Sequence, residues 1–191
     1  MQTQSSSEYL LVAYPDKTVM DKILAERFHF TETYKVRLRP QLRPHVPVTH
    51  FFASEGMEPT LVRWLQKICR MEQGFNLTLN NYSGFPSHTI YIRLQHLDPL
   101  QHFLTQLTAM TDFVEPAHGI YRNRPHISLA GNLPASVYEL ALSDYSRRIF
   151  HESFQVKELV LLGRKDSFES FKTVQVFGLL PANNDLFNKV A

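Results

Sequence analysis

The tripeptide Arg-Pro-His occurs twice in this chain, and each copy opens a stretch that alternates as a β-strand does. The copies read Arg43-Pro44-His45-Val46-Pro47-Val48 and Arg124-Pro125-His126-Ile127-Ser128-Leu129, with their histidines 81 positions apart, 126 minus 45. Successive side chains of a strand point to opposite faces. His126 and Ser128 therefore share one face, with Ile127 and Leu129 on the buried one. The same rule puts His45, Pro47 and Thr49 on one face and Val46, Val48 and His50 on the other. Pro47 has no N–H to give to a ladder, so this strand belongs at a sheet edge or carries a bulge.

Periodicity places the other elements around these two strands. Tyr9 to Tyr14 reads as a strand stopped by Pro15, and Asp16 caps a helix from about Lys17 to Phe28 with Val19, Ile23, Leu24 and Phe28 on one face. A basic, proline-punctuated segment, Tyr34 to Pro44, leads into a strand from His45 to Ala53. Pro59 to Arg70 is an amphipathic helix (Leu61, Leu65, Ile68). Phe75 to Tyr82 and His88 to Leu94 alternate as strands across the turn Ser83 to Ser87. A helix over Asp98 to Met110 and a loop from Val114 to Arg124 follow. The strand His126 to Ala130, a helix from Pro134 to Ile149, and closing strands Phe154 to Leu162 and Lys172 to Leu180 complete the chain.

The order strand, helix, two strands thus occurs twice, over about 44–94 and about 125–180. Hairpins mixed with helices point to an α+β fold rather than a doubly wound parallel sheet. Neither a Gly-x-Gly-x-x-Gly nor a Walker-type loop is present, so no nucleotide cofactor is expected.

An imidazole moves protons near neutral pH, while a hydroxyl and a guanidinium hold an anion. His126, Ser128 and the arginines that precede both histidines therefore suit phosphate chemistry. Composition excludes other classes. At 43% hydrophobic and 20% charged residues a core can form, and a net charge of +2 compels neither nucleic-acid nor membrane binding. Basic residues cluster instead, with Lys35, Arg37, Arg39 and Arg43 within nine positions. The single cysteine, Cys69, makes an internal disulfide impossible and reads as a buried hydrophobe in a reducing compartment. The N-terminal apolar run is too short for a signal peptide or a membrane span, so a cytoplasmic protein is expected.

The two Arg-Pro-His strands resemble the two-histidine (2H) phosphoesterase superfamily, which includes the 2′-5′ RNA ligase-like proteins and cyclic phosphodiesterases. The resemblance runs from the opening strand Tyr9 to Tyr14 through the strand near Gly178. The family pattern is two His-x-Thr/Ser motifs on two related lobes. His126-Ile127-Ser128 matches it, and His45-Val46-Pro47 keeps the histidine but carries proline at the hydroxyl position. The resemblance implies one bilobal domain over 1–191, each lobe a mostly antiparallel sheet with helices on its outer face and a groove between. It also implies His45 and His126 as a metal-free acid–base pair acting on a 2′,3′-cyclic or 2′-5′ phosphodiester of RNA or nucleotides. Which histidine is acid and which is base stays open.

Ser128, Arg43 and Arg124 would hold the phosphate. Thr49, Arg43 or a backbone amide would replace the hydroxyl missing at Pro47. Tyr14, Tyr121 and Phe52 would stack on a base, and His118 would belong to a loop over the groove. Three alternatives accompany this expectation. His50 could be the working first histidine, Pro47 could mark a binder of phosphorylated ligands or RNA ends, and His45, His50 and His126 could hold a metal. The expected partner is a phosphate-containing small molecule or RNA end, with no membrane, and the chain is expected to be a monomer.

Overall fold

The structure is a computed structural model, and it describes residues 6–38, 42–86, 88–108, 114–116 and 125–182. The elements run β1 (Ser6–Ala13), α1 (Lys17–Tyr34), β2 (Val46–Ser54), a 3-10 turn (Glu55–Met57), α2 (Glu58–Cys69), β3 (Phe75–Phe85), β4 (Thr89–Gln95), α3 (Asp98–Gln106) and β5 (Glu115–Pro116). They continue with β6 (His126–Ala130), α4 (Ala135–Tyr145), β7 (His151–Val156), β8 (Glu158–Arg164) and β9 (Lys172–Gly178). The fold is α+β, as the hairpin-rich pattern implies. One sheet has the order β5-β2-β1-β8-β9 and the other β6-β4-β3-β7, with antiparallel pairing throughout.

Each motif strand sits in a different sheet, and the Cα atoms of β2 and β6 come within 8 Å of each other. The lobes are not the consecutive stretches 44–94 and 125–180. β3 and β4 follow the first motif in sequence but pair with β7 and β6 in the second motif's sheet, while β8 and β9 extend the first motif's sheet. Ladder hydrogen bonds join strands that are remote in sequence, so the order of elements does not reveal which sheet each strand enters.

The expected strand Phe154 to Leu162 is two strands, β7 and β8, in different sheets. The exposed pair Lys157-Glu158 interrupts it: Phe154 and Val156 are buried before the pair, and Leu159, Val160, Leu161 and Leu162 are all buried after it. The helix expected to end near Phe28 continues to Tyr34, and its buried face is Val19, Met20, Ile23 and Phe30. Leu24 and Phe28, assigned to that face from sequence, are 45% and 68% exposed. A stripe taken from the first three turns is rotated by about one position relative to the face the whole helix buries.

The N-cap of α1 is as expected, with the Asp16 side chain accepting from the Val19 N–H at 3.0 Å. The amphipathic stripe of α2, Leu61, Leu65 and Ile68, is buried. α1 packs against β6 and β7, α4 against β3 and β4, α2 against β9, and α3 against β2 and β3. Side chains from both sheets and these helices form one contiguous core, including Leu11, Phe51 and Leu161 of the first sheet and Leu79, Ile92 and Ile127 of the second. Cys69 is fully buried in it, and burial pushes its thiol up to about 12, so it remains an inert hydrophobe. Among the described residues no helix is long and apolar enough to cross a membrane.

Candidate active site

The second motif strand has the two faces that its alternation demands. Ile127 and Leu129 are fully buried, while His126 and Ser128 are half-buried on the opposite face. Pairing with β4 sets Tyr91 opposite Ser128 and Arg93 opposite His126. Cross-strand partners share a face, so this side of the sheet carries an aromatic wall around His126. The Phe85 ring meets the His126 ring nearly edge-to-face at 4.8 Å, and the Tyr91 ring lies 4.9 Å away. Phe85 and Tyr91 stack on each other at 4.2 Å.

The first motif strand does carry the bulge that Pro47 called for. Leu11 of β1 pairs with Thr49 and Val12 with Pro47, so one residue of β2 is skipped at Val48. The skipped residue changes the faces beyond it. Thr49, Phe51 and Ala53 turn into the core, and Thr49 is fully buried. Thr49 therefore does not share a face with His45 and does not supply the hydroxyl absent at Pro47. His50 instead joins the side of the sheet that carries Pro47, paired with Leu10.

His50 is engaged there in a network of its own. Its Nε2 donates to Glu8 Oε1 at 2.6 Å, and Arg164 Nε donates to Glu8 Oε2 at 2.6 Å. The half-buried Phe52 ring leans on the His50 ring at 5.7 Å. Burial would raise the Glu8 carboxyl, but the bonds from Arg164 and His50 outweigh it and bring the group below its ordinary value. Among the described residues no three His, Cys, Asp or Glu side chains are grouped to hold a metal ion.

His45 is half-buried just before β2, its Nδ1–H donating to the Arg43 carbonyl at 2.8 Å. The Tyr14 ring stands edge-on to it at 6.3 Å, and the exposed Arg43 guanidinium lies over that Tyr14 ring at 4.8 Å. Burial lowers the proton affinity of His45 below the ordinary histidine value. The hydrogen bond to the Arg43 carbonyl opposes this, and the charges of Arg27 and His126 reinforce it. Burial also raises the Tyr14 phenol, partly offset by Arg43.

Arg27, on α1, connects the two motifs. Its Nη1 donates to the Leu42 carbonyl at 3.2 Å and its Nη2 to the Ser128 carbonyl at 2.7 Å. Its Nε is buried without a partner, and burial lowers the affinity of the guanidinium for its proton. Sequence reasoning missed Arg27, Phe85 and Tyr91. The signal for Arg27 was present: it falls four residues after Ile23 and three before Phe30, a charge on the buried stripe of a helix. Tyr91 and Phe85 had no local signal, because they reach His126 only through the pairing of β4 with β6 and β3. The structure brings together Tyr14, from the link between β1 and α1, with Arg43 and His45, just ahead of β2, and sets His126 and Ser128 on one face of β6. Arg124, Tyr121 and His118 lie outside the described residues.

The chain resembles several solved structures along nearly its whole length. Escherichia coli LigT, in a structure complexed with 3′-AMP, superposes with a TM-score of 0.71 at 17% identity, covering 91% of this chain and 98% of that one. The same protein complexed with phosphate superposes with a TM-score of 0.64 at 16% identity, covering 92% and 99% of the two chains. A Thermus thermophilus protein superposes with a TM-score of 0.67 at 13% identity, covering 92% and 100%. At such identities the likeness shows the fold. No curated protein matches the sequence. A family model described as the 2′-5′ RNA ligase superfamily matches residues 19–167, which include both Arg-Pro-His motifs and Arg27. The chain belongs to this superfamily, the two-histidine phosphoesterases.

Proposed function

We propose that the protein is a metal-independent phosphoesterase that opens 2′,3′-cyclic or 2′-5′ phosphodiesters of RNA or nucleotides, with His45 as general base and His126 as general acid. The observation that carries this assignment is the bond from His45 Nδ1 to the Arg43 carbonyl. A carbonyl only accepts, so Nδ1 holds the proton and Nε2 keeps a free lone pair. Burial and the charge of Arg27 favour that neutral form. His126 stands instead against the stacked pair of Phe85 and Tyr91, and aromatic neighbours suit a ring that carries positive charge.

In this reading His45 Nε2 takes a proton from water as the water oxygen bonds to phosphorus. The bond from phosphorus to one ribose oxygen breaks, and His126 gives its proton to that leaving oxygen. Ser128 and Arg43 hold the non-bridging oxygens, and Arg124 extends the same role. Tyr14 borders the first histidine. The ligands of LigT, phosphate and 3′-AMP, are in keeping with a phosphate bound between the motifs. We retain a cytoplasmic monomer as the working form.

Pro47 favours a second reading, a binder of phosphorylated ligands or RNA ends, because the first motif lacks the hydroxyl of the family pattern. Turnover of a 2′,3′-cyclic nucleotide panel in EDTA separates the two. Hydrolysis by the wild type that is lost in both His45→Ala and His126→Ala supports the enzyme. A wild type that binds 3′-AMP but turns over no member supports the binder.

A further inference from the structure

A cavity of about 370 Å³ lies at the opposite end of the first sheet from His45. Tyr9, in its floor, precedes Tyr14 by five residues of extended chain, roughly 16 Å at the rise of a strand. The cavity also lies on the other face of the sheet. Tyr9 and Phe51 stack on the core side at 5.5 Å, whereas Pro47 and His50 stand on the reverse.

Strand register explains how this floor is built. Gly163 of β8 pairs with Tyr9 of β1 on one side and with Lys172 of β9 on the other. Cross-strand partners share a face, so this row carries a large ring, no side chain and a lysine. A Cβ at Gly163 would come within 3.2 Å of the Tyr9 ring and 2.8 Å of Val174, so only glycine admits the ring this close to β8. The next residue of β1 on this face is Ser7, which is small and buried. Glu55 and Glu58, in the turn into α2, close the cavity from the other side.

Most of the charges around the cavity are already paired. The Tyr9 hydroxyl accepts from Ser7 and donates to Glu58 Oε2 at 3.0 Å, which engages one oxygen of that carboxylate. Lys165 is paired with Glu55 at 3.2 Å, and Arg164 is bound to Glu8 on the reverse face. Two groups of the wall are left. Among the described residues the Lys172 ammonium and the Glu169 carboxylate are in no ion pair or side-chain hydrogen bond, although only three positions separate them.

This balance selects the ligand. A simple anion would meet Glu58 and Glu169, and a simple cation would meet Lys165 and Lys172. A molecule that carries both charges finds a partner for each. The volume is near the lower end of the roughly 300–1,000 Å³ of small-molecule sites, and the Tyr9 ring and Val174 supply an apolar part of the wall.

We propose that this cavity binds a free α-amino acid with an apolar side chain. Its carboxylate pairs with Lys172, its ammonium with Glu169 and the second oxygen of Glu58, and its side chain lies over Tyr9 and Val174. The site is separate from the groove and does not depend on the reaction proposed there.

The test is an NMR titration of the isotope-labelled full chain with three ligands. They are L-leucine, L-leucinamide, which lacks the carboxylate, and N-acetyl-L-leucine, which lacks the ammonium. Leucine is expected to shift the Gly163 and Lys172 amides with a Kd on the order of 1 mM, while Ile127 and Leu129 of β6 stay in place. Each analogue should bind at least about tenfold more weakly, because each leaves a charged group of the wall unanswered. Lys172→Gln should weaken leucine about tenfold without changing leucinamide, and Glu169→Gln should do the same without changing N-acetyl-leucine. Both side chains are exposed, so neither substitution should disturb the fold. No shift at these amides with about 50 mM leucine overturns the site, as do equal affinities for the three ligands. A leucine affinity that survives both substitutions overturns it as well.

Discussion

Arg27 and Ser128 stand 101 positions apart and are joined by a 2.7 Å hydrogen bond from the guanidinium Nη2 to the Ser128 carbonyl. The other amino group reaches the Leu42 carbonyl at 3.2 Å, just ahead of the first motif. Among the described residues β6 ends its sheet, and β2 is covered on its outer side only by the two residues of β5. Both motif strands therefore leave main-chain groups for other donors to satisfy. One planar, forked side chain answers a carbonyl from each motif region.

Arg27→Met leaves both carbonyls without that donor. We expect a loss of about 2 kcal/mol in stability by urea denaturation and at least about a tenfold fall in kcat/KM. Arg27→Lys keeps the charge, but a single ammonium does not reproduce the fork, and its kcat should lie between wild type and Met. A Met variant with wild-type stability and rate would remove the clamp.

The lowered proton affinity of His45 has a defined sign. With the folded value below 6.5, the unfolded chain takes up this proton first as the pH falls. Its contribution to stability is therefore complete above the ordinary value and is lost as the pH drops through the lowered one. For activity, the acidic limb of kcat/KM should fall below 6.5. It should move upward in Arg27→Met, because the Arg27 charge that disfavours the proton is gone. The groups around His45 are Arg27, His126, Tyr14 and Arg43. An acidic limb above 6.5 in the wild type would exclude His45 as the base.

Pro47 lies on the His45 side of β2, opposite Val12. Pro47→Thr restores a hydroxyl at the family position and should raise kcat by about tenfold, part of the gain one well-placed donor contributes. Steady-state rates on one cyclic nucleotide suffice, and an unchanged kcat would show that the site manages without this contact.

Glu8→Ala tests whether His50 belongs to the chemistry. Glu8 is the common acceptor of His50 and Arg164, whose side chains are 19% and 22% exposed. Removing it leaves both donors poorly satisfied and should cost about 3 kcal/mol. The Glu8 stabilisation is present above its ordinary value and fades as the pH falls below it, because its folded proton affinity is lowered. kcat for the variant, measured where it is folded, should stay within about threefold of wild type. A stable Glu8→Ala protein without activity would bring His50 into the reaction centre.

Much of the architecture could be read from local pattern. The α2 stripe, the cap at Asp16 and the two faces of β6 depend on neighbours a few residues away, and each is found where the period puts it. The faces of β2 could be read only as far as Pro47. The need for a bulge was visible in the proline, but its position at Val48 was not, and one skipped residue exchanges Thr49 for His50 on the open face. The junction at Lys157 gave no phase signal in the sequence, because residues 159 to 162 are apolar at every position and all four are buried.

The sequence by itself determined that two histidines open two strands with aliphatic backing, since alternation is a property of a single strand. It also placed Arg27 on an apolar stripe, where a charge needs partners. Only the tertiary structure decided which partners. Strand pairing between segments far apart in the chain brought Tyr91 and Phe85 to His126 and exchanged β3 and β4 for β8 and β9 between the lobes. It also left two strand edges whose carbonyls one buried guanidinium could reach. The physical reason is that side-chain direction is set within a strand, whereas hydrogen bonds between strands are satisfied by whichever edge the whole fold brings near.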